Sequence, residues 1–381
     1  MAFLALLAGL IVAVYAPFFA GQVLYNRDIV RWGFPARWFA RAAIEQGQWP
    51  WWNPDVGLGF SNLADPLYGL FYPPNLLHLM GSLPVGMMLV ILAHLVWGAV
   101  GMTALGRQFC LRKGAAVVAG LAWALSGYIF SLWTFGSILP AAAWMPWQAC
   151  TFIHLVGRTR DGKPWMLAAA AAALAVGLAM LSGDVFVALM GSILGLGLGL
   201  AAAWIVGEPR ELGARETRAY RWRWRCILAF AVVGATGATL SMVQWLPAIR
   251  ALATTERTGG VSAGYASAGS LTSWRAVEFA APVAFARAWL EDPGAPWVGR
   301  VLGGQPLGMN IYLGGSVLAL AFCALSWPRR GRAEPERHLV WRVWAVCGLA
   351  AFDLLLALGS HAPARGRQRG HAGRQCPTGN S

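Results

Sequence analysis

Charge is scarce in this chain. Only 12% of its 381 residues are Asp, Glu, Lys or Arg, where a soluble domain carries roughly 25%. No two of the cysteines Cys110, Cys150, Cys226, Cys323, Cys347 and Cys376 form a CxxC pair or a zinc knuckle, and the histidines form no HExxH spacing. Neither a disulfide framework nor a metal site is expected from them. The patterns GxxxxGK[ST] and GxSxG are also missing. Soluble nucleotide hydrolases, serine hydrolases and metalloproteases therefore have no support.

What the chain has instead is hydrocarbon. Apolar residues make up 57% of it and mean hydropathy is +0.53. The expectation is an all-α, polytopic transmembrane helix bundle. A bilayer core takes about 20 mostly apolar residues per helix. Nine stretches qualify: Phe3–Ala20, Val85–Leu105, Ala115–Phe130, Ile138–Val156, Trp165–Leu181, Val185–Val206, Cys226–Leu246, Met309–Trp327 and Leu339–Leu358. The first lacks a basic leading region and a clear cleavage site, so it reads as an uncleaved span.

The formal net charge of +14 is set by topology. Basic residues gather in alternate loops: Arg107, Arg112 and Lys113; Arg158, Arg160 and Lys163; the six arginines from Arg210 to Arg225; and Arg329, Arg330, Arg332 and Arg337. The connectors Ser131–Ser137 and Ser182–Asp184 hold none. By the positive-inside rule the N-terminus is cytoplasmic, and loops 21–84 and 247–308 lie outside. The charge is thus no sign of a nucleic-acid partner; membrane lipids are the expected surroundings. Tryptophan occurs 21 times, often near span ends as in Trp144/Trp147 and Trp222/Trp224, which reads as an interfacial belt. Trp49, Trp51 and Trp52 stand apart, in a loop with polar neighbours.

The first outer loop is the most informative stretch. Arg27, Arg31, Arg37 and Arg41 balance Asp28, Glu45, Asp55 and Asp65. At 100° per residue the four arginines fall on an arc of roughly 120°. This predicts a short interfacial helix with one basic face, kinked at Pro35. Such a face serves lipid phosphates or a substrate phosphate equally well. Beyond it, Trp49-Pro50-Trp51-Trp52-Asn53-Pro54, Gly57, Gly59 and Phe71-Tyr72-Pro73-Pro74-Asn75 specify turns. Loop 247–308 contains an amphipathic stretch, Trp274–Phe285, that reads as a lid or as a structural cap. Asp353 lies inside the last span, where an ionisable group is costly; it is left out of the site.

The order of these features resembles the YfhO-like bacterial membrane proteins of the GT-C glycosyltransferase superfamily. Asp28 soon after the first span carries the resemblance, with Pro50-Trp51-Trp52-Asn53-Pro54, Ala64-Asp65-Pro66 and Phe71-Tyr72-Pro73-Pro74-Asn75. Further on, Ser126-Gly127-Tyr128, Trp144-Met145-Pro146-Trp147, Leu181-Ser182-Gly183-Asp184, the stretch Glu256–Pro282, Asn310-Ile311-Tyr312-Leu313-Gly314 and Leu358-Gly359-Ser360-His361 fit the series. The chain departs at Asp184-Val185-Phe186, where the family shows Pro-Gln.

The resemblance implies an enzyme of the bacterial inner membrane. It would move a sugar from a polyprenyl-phosphate donor to a cell-envelope glycan or lipid acceptor on the outer face. It implies Asp28 as general base, and Arg27, Arg31, Asn53, Asp65, Tyr72, Asp184 and Arg257 as substrate-binding residues. No Asp-x-Asp surrounds Asp28, so neither an obligatory metal nor another cofactor is expected. The alternatives are a transporter or flippase for lipid-linked glycans, and a non-catalytic assembly protein. Residues 1–358 form the expected membrane domain. Residues 359–381 contain no Val, Ile, Leu, Met, Phe, Trp or Tyr and no acid. They read as a disordered basic tail, from a shifted reading frame or as a genuine extension.

Overall fold

The computed structural model describes residues 28–132, 136–205 and 215–253, with isolated positions 5, 9–13, 16, 17, 255, 260, 277 and 278. The expected spans Met309–Trp327 and Leu339–Leu358, the tail, and most of Phe3–Ala20 and of loop 247–308 lie outside the described residues.

Two regions follow one another. The first, residues 28–82, is short-ranged. A single π-helical segment, Ile29–Gly33, runs into helix α1, Phe34–Glu45. Pro35 sits in the first turn of α1, where a missing N–H costs no intrahelical bond. The expected kink at Pro35 is therefore a change of winding just before it. A two-residue antiparallel ladder follows, β1 Trp52–Asn53 against β2 Phe60–Ser61, with Trp52 opposite Ser61 and Asn53 opposite Phe60. Gly59 closes the hairpin at φ +109°, and a Cβ there would stand 2.2 Å from the Trp52 ring, so only glycine fits. Two 3-10 turns, Pro66–Tyr68 and Pro73–Leu79, complete the segment.

The second region is helical: α2 Leu83–Gln108, α3 Lys113–Ala124, α4 Gly127–Leu132, α5 Ile138–Arg160, α6 Met166–Leu181, α7 Val185–Ile205 and α8 Arg215–Leu252. Among the described residues two helices, Leu83–Gln108 and the stretch Trp222–Leu252 of α8, are long and apolar enough to cross a membrane. At 1.5 Å per residue they reach about 39 and 46 Å, past a hydrocarbon core of about 30 Å. The expected span Ala115–Phe130 is broken instead. The Ser126 hydroxyl donates to the Trp123 carbonyl and accepts from the Ile129 N–H, so it ends α3 and starts α4. In a Ser-Gly pair the side chain competes with the helical ladder.

Small residues set the helix spacings. In α7, Gly191, Gly195 and Gly199 recur every fourth residue and face α5. A Cβ on Gly191 would lie 2.0 Å from Gln148 Oε1, while Gln148 Nε2 donates to the Ala188 carbonyl at 3.2 Å and to Ser192 Oγ at 3.1 Å. Gly237 and Gly177 bring α8 against α6 in the same manner. Backbones approach this closely where dispersion contacts hold helices together. Large apolar side chains such as Leu167, Phe186, Ile193 and Ile249 point outward and are exposed. The tryptophan belt needs one correction: Trp144 is buried. Its ring meets Trp97 edge-on at 5.2 Å, and Trp97 stacks on Trp147 at 4.5 Å.

The polar segment stands on one end of this bundle. Gly69 lies against the Ser182 carbonyl, and Gly183 at the α6–α7 corner lies against the Pro66 carbonyl. The basic residues sit at the other end of α6: Arg225 Nη2 donates to the Lys163 carbonyl at 3.0 Å and Arg158 Nε to the Pro164 carbonyl at 2.9 Å.

Candidate functional site

A cleft of about 260 Å³ opens between α1 and the chain from Tyr68 to Leu79. Its walls include Arg37, Arg41, Trp49, Phe71, Tyr72 and His78. A second, narrow cavity of about 30 Å³ lies behind it, among Ile29, Trp32, Met87, Val90, Ile91 and Leu139. Arg37 and His78 line both.

The helical wheel places Arg37 on a solvent-facing basic stripe. In the structure it is only 8% exposed. The reason is the π segment, whose wider turn shifts the phase of α1 relative to Arg31, which stays exposed. The Arg37 guanidinium donates to the Tyr68 carbonyl and feels Asp65 electrostatically. Burial pulls it down to about 10, so it is still a cation at neutral pH. His78 is buried too, and its Nδ1 has no protein partner. Burial holds its pKa well below the ordinary imidazole value, and Arg37 and His94 push the same way. His78 is therefore neutral at pH 7. Arg41 is tied through two of its nitrogens: Nε donates to Glu45 Oε1 at 2.7 Å, and Nη1 donates to the Gly81 carbonyl at 2.6 Å.

Tyr72 borders the cleft with its ring, while its hydroxyl is engaged elsewhere. It is 2% exposed. His94 Nδ1 faces the Val90 carbonyl at 2.6 Å, so that nitrogen carries the proton and Nε2 accepts. Tyr72 OH donates to His94 Nε2 at 2.7 Å and accepts from Trp144 Nε1–H at 2.8 Å. One hydroxyl thus joins the segment to α2 and α5. Gln244 of α8 makes a second tie. Its Oε1 accepts from the Leu70 N–H at 3.2 Å, and its Nε2 donates to the Leu63 carbonyl at 3.3 Å.

The other expected site residues fall around this framework. Asn53 is buried; its Oδ1 accepts from the Asp55 N–H at 2.9 Å, and its side chain bonds Tyr68. Asp65 Oδ1 accepts from the Leu67 N–H at 2.9 Å and caps the 3-10 turn. Asp184 Oδ1 accepts from the Val187 N–H at 2.9 Å at the start of α7. Burial raises its carboxyl, against two backbone N–H bonds that lower it. Asp28 precedes the π segment and makes no capping bond. Arg27 and Arg257 lie outside the described residues.

Asn53 and Asp65 thus gather around Arg37 and Tyr68, Tyr72 shares only the cleft wall with them, and Gly183, next to Asp184, meets the Pro66–Leu67 turn. Asp28 and Arg31 belong to the segment whose Ile29 lines the rear cavity. Sequence reasoning missed Arg37 as an inward group, together with His78, His94, Trp144 and Gln244. An Arg37 on the polar face of a wheel gives no inward signal, and single His and Gln residues form no motif.

Among the described residues no three His, Cys, Asp or Glu side chains gather where they would hold a metal ion. Comparisons with protein-family models, with curated proteins and with solved structures give no match to this chain. The chemistry on view is that of a buried cation and a neutral imidazole beside an aromatic-walled cleft. Trp49 stacks on Phe71 with centroids 6.3 Å apart, and Trp51 lies 5.9 Å from Trp49.

Proposed function

We propose that this chain is a multi-pass inner-membrane protein of GT-C-like design, with about nine spans and a cytoplasmic N-terminus. In this reading it transfers a sugar from a polyprenyl-phosphate donor to a cell-envelope acceptor on the outer face. The observation that carries the reading is the placing of polar groups. A folded segment at one end of an apolar bundle gathers polar and aromatic groups around a cleft. The cleft holds a buried cation and is walled by aromatic rings suited to a sugar face.

Asp28 accepts the proton of the acceptor hydroxyl as its oxygen attacks the anomeric carbon. The bond from that carbon to the phosphate oxygen breaks, and its electron pair leaves with the phosphate. Arginine stabilises that charge, with Arg31 at the helix entrance and Arg27 and Arg257 in the expected set. Turnover of a labelled polyprenyl-phosphate sugar in membranes tests the assignment. Asp28→Asn is expected to lower transfer about 10²–10⁴-fold, the usual worth of a general base. Transfer at the wild-type rate would remove Asp28 from the reaction.

One observation favours a transporter as the second reading. The helix between Lys113 and Leu132 is interrupted at Ser126, and interrupted helices build transporter sites. Transbilayer movement of a lipid-linked glycan with its sugar bond intact would select it.

A further inference from the structure

The helical stretch from Ile29 to Glu45 starts deep against α2 and ends high. Ile29 is buried in one apolar cluster with Ile91, Leu92 and Leu139. Ile91 lies eight residues past Leu83, where α2 begins, or about 12 Å along the axis. The helix outreaches a hydrocarbon core by only about 9 Å in all. Even with that whole excess at this end, Ile91 stands within the core, and Ile29 starts beside hydrocarbon. Twelve residues on, Arg41 Nη1 donates to the Gly81 carbonyl, two residues before α2 begins. The stretch therefore crosses the level at which the bundle meets water. One side of it packs inward: Ile29, Ala36 and Arg37 are buried. Phe34 and Trp38, four residues apart and so on one helix face, are 39% and 56% exposed. The face continues onto α2, because Gly81 lies against Val85, which is exposed too. Its charge is small: Arg41 is paired with Glu45 at 2.7 Å near the upper end, and Arg37 is turned to the Tyr68 carbonyl. Hydrocarbon, then aromatic rings, then an ion pair is the order in which a bilayer grades from core to water, and indole is favoured at headgroup level.

We propose that the Phe34–Trp38 face of α1 is seated in phospholipid of the leaflet at the Leu83 end of α2, the outer one in the expected topology. The Trp38 indole stands at headgroup level, and the Phe34 ring lies below it against acyl chain. The anchor is apolar surface removed from water, not attraction to lipid phosphate. The sequence pattern predicts a basic face turned outward; in the structure Arg37 is buried and aromatic rings take the outward side. Because α1 is also one wall of the cleft, the bilayer fixes where that wall stands. The proposal rests on α2 spanning the membrane and is independent of sugar transfer.

The full-length protein in phosphatidylcholine nanodiscs is the test material. A photoreactive benzoylphenylalanine replaces Phe34 or Trp38 and, as a control, Ile193, which is exposed on α7. Mass spectrometry after illumination is expected to find phosphatidylcholine joined to the chain at all three positions. Lipid at 193 but not at 34 or 38 would overturn the proposal and leave the membrane reading standing. Lipid at none of them would sink both. Protein joined at 34 and 38 would overturn it in favour of a polypeptide partner. Hydrogen exchange then measures the strength of the anchor. Trp38→Glu is expected to speed exchange of the α1 amides about tenfold or more while α5 is unchanged, and Trp38→Leu to stay within about threefold of wild type. Wild-type exchange in Trp38→Glu would overturn the anchor. Added phosphatidylglycerol or high salt is expected to change α1 exchange less than about threefold, since screening acts on charges and not on apolar burial. A larger change would return the helix to a basic-face role and overturn the aromatic one.

Discussion

Residues 28–82 and the helices beyond them solve the same problem by opposite means. In the helical region the backbone hydrogen bonds are mostly internal to each helix, and glycines decide how near two helices come. In segment 28–82 short elements of different kinds follow one another, and long-range side-chain bonds decide the shape. Helix contacts are spread over many weak pairs, so no single residue carries them. The segment hangs on a few groups: the Tyr72 hydroxyl, the Gln244 amide and the Arg37 guanidinium. The bundle should tolerate apolar exchange broadly, and the segment should fail at named atoms.

The hardest blow to that contrast falls where the two regions meet. Gly183 has φ +111°, and a Cβ there would stand 2.6 Å from the Pro66 carbonyl oxygen. Gly183→Val is expected to cost about 2–4 kcal/mol, from backbone strain and overpacking together. It should expose residues 60–75 to proteases while α5 and α7 remain protected in hydrogen exchange. Uniform loss of protection would show that the two regions are one cooperative unit.

Tyr72→Phe comes next. It leaves the Trp144 N–H and His94 Nε2 without partners, at a cost of about 2–3 kcal/mol for the two groups. Trp144→Phe with Tyr72→Phe should recover part of that loss, because both ends of one bond are then apolar. Thermal unfolding of the three variants measures the difference.

A smaller effect is tied to pH. His78 is neutral in the fold with its pKa pushed below the ordinary value, whereas the unfolded imidazole titrates near 6.5. Its contribution is therefore complete above about pH 6.5. Below that the unfolded state binds the proton first, and stability falls by up to about 1.4 kcal/mol per pH unit until the folded pKa is reached. Arg37 and His94 are the charged and titratable groups that face it. His78→Gln should flatten this acid limb. Asp184 slopes the other way at lower pH, since its raised carboxyl takes up a proton in the fold before the unfolded chain does. The smallest expected change is Glu45→Gln. The Arg41–Glu45 pair is 2.7 Å long and Glu45 is largely exposed, so its loss should shift stability by under about 0.5 kcal/mol.

Legibility in the sequence divides along the same line. Apolar runs fix helix positions well: Val85–Leu105 lies within α2, and Trp165–Leu181 and Val185–Val206 match α6 and α7 to within a residue. Hydrocarbon length is a property of composition, and composition is written in the chain. The break at Ser126 is less visible, since a hydroxyl that turns back to the Trp123 carbonyl looks like any serine. In segment 28–82 the turns could be read from Pro, Gly and Asn, but their three-dimensional order could not. Wheel arithmetic assumes 100° per residue, and five π-helical residues were enough to carry Arg37 from the surface to the interior. The partners of Tyr72 are 22 and 72 positions away, on helices whose own patterns record only that they are apolar.

Gln244 has a consequence for how the protein is made. It lies 174 positions after Leu70, the backbone it fastens. At roughly 5–20 residues per second a ribosome reaches it about 9–35 s after residue 70 is made. Through that interval segment 28–82 waits with the Leu63 and Leu70 peptide groups unclasped. Helix α8 works as a late bolt, so the cleft becomes a finished structure only when the seventh of these helices has been delivered.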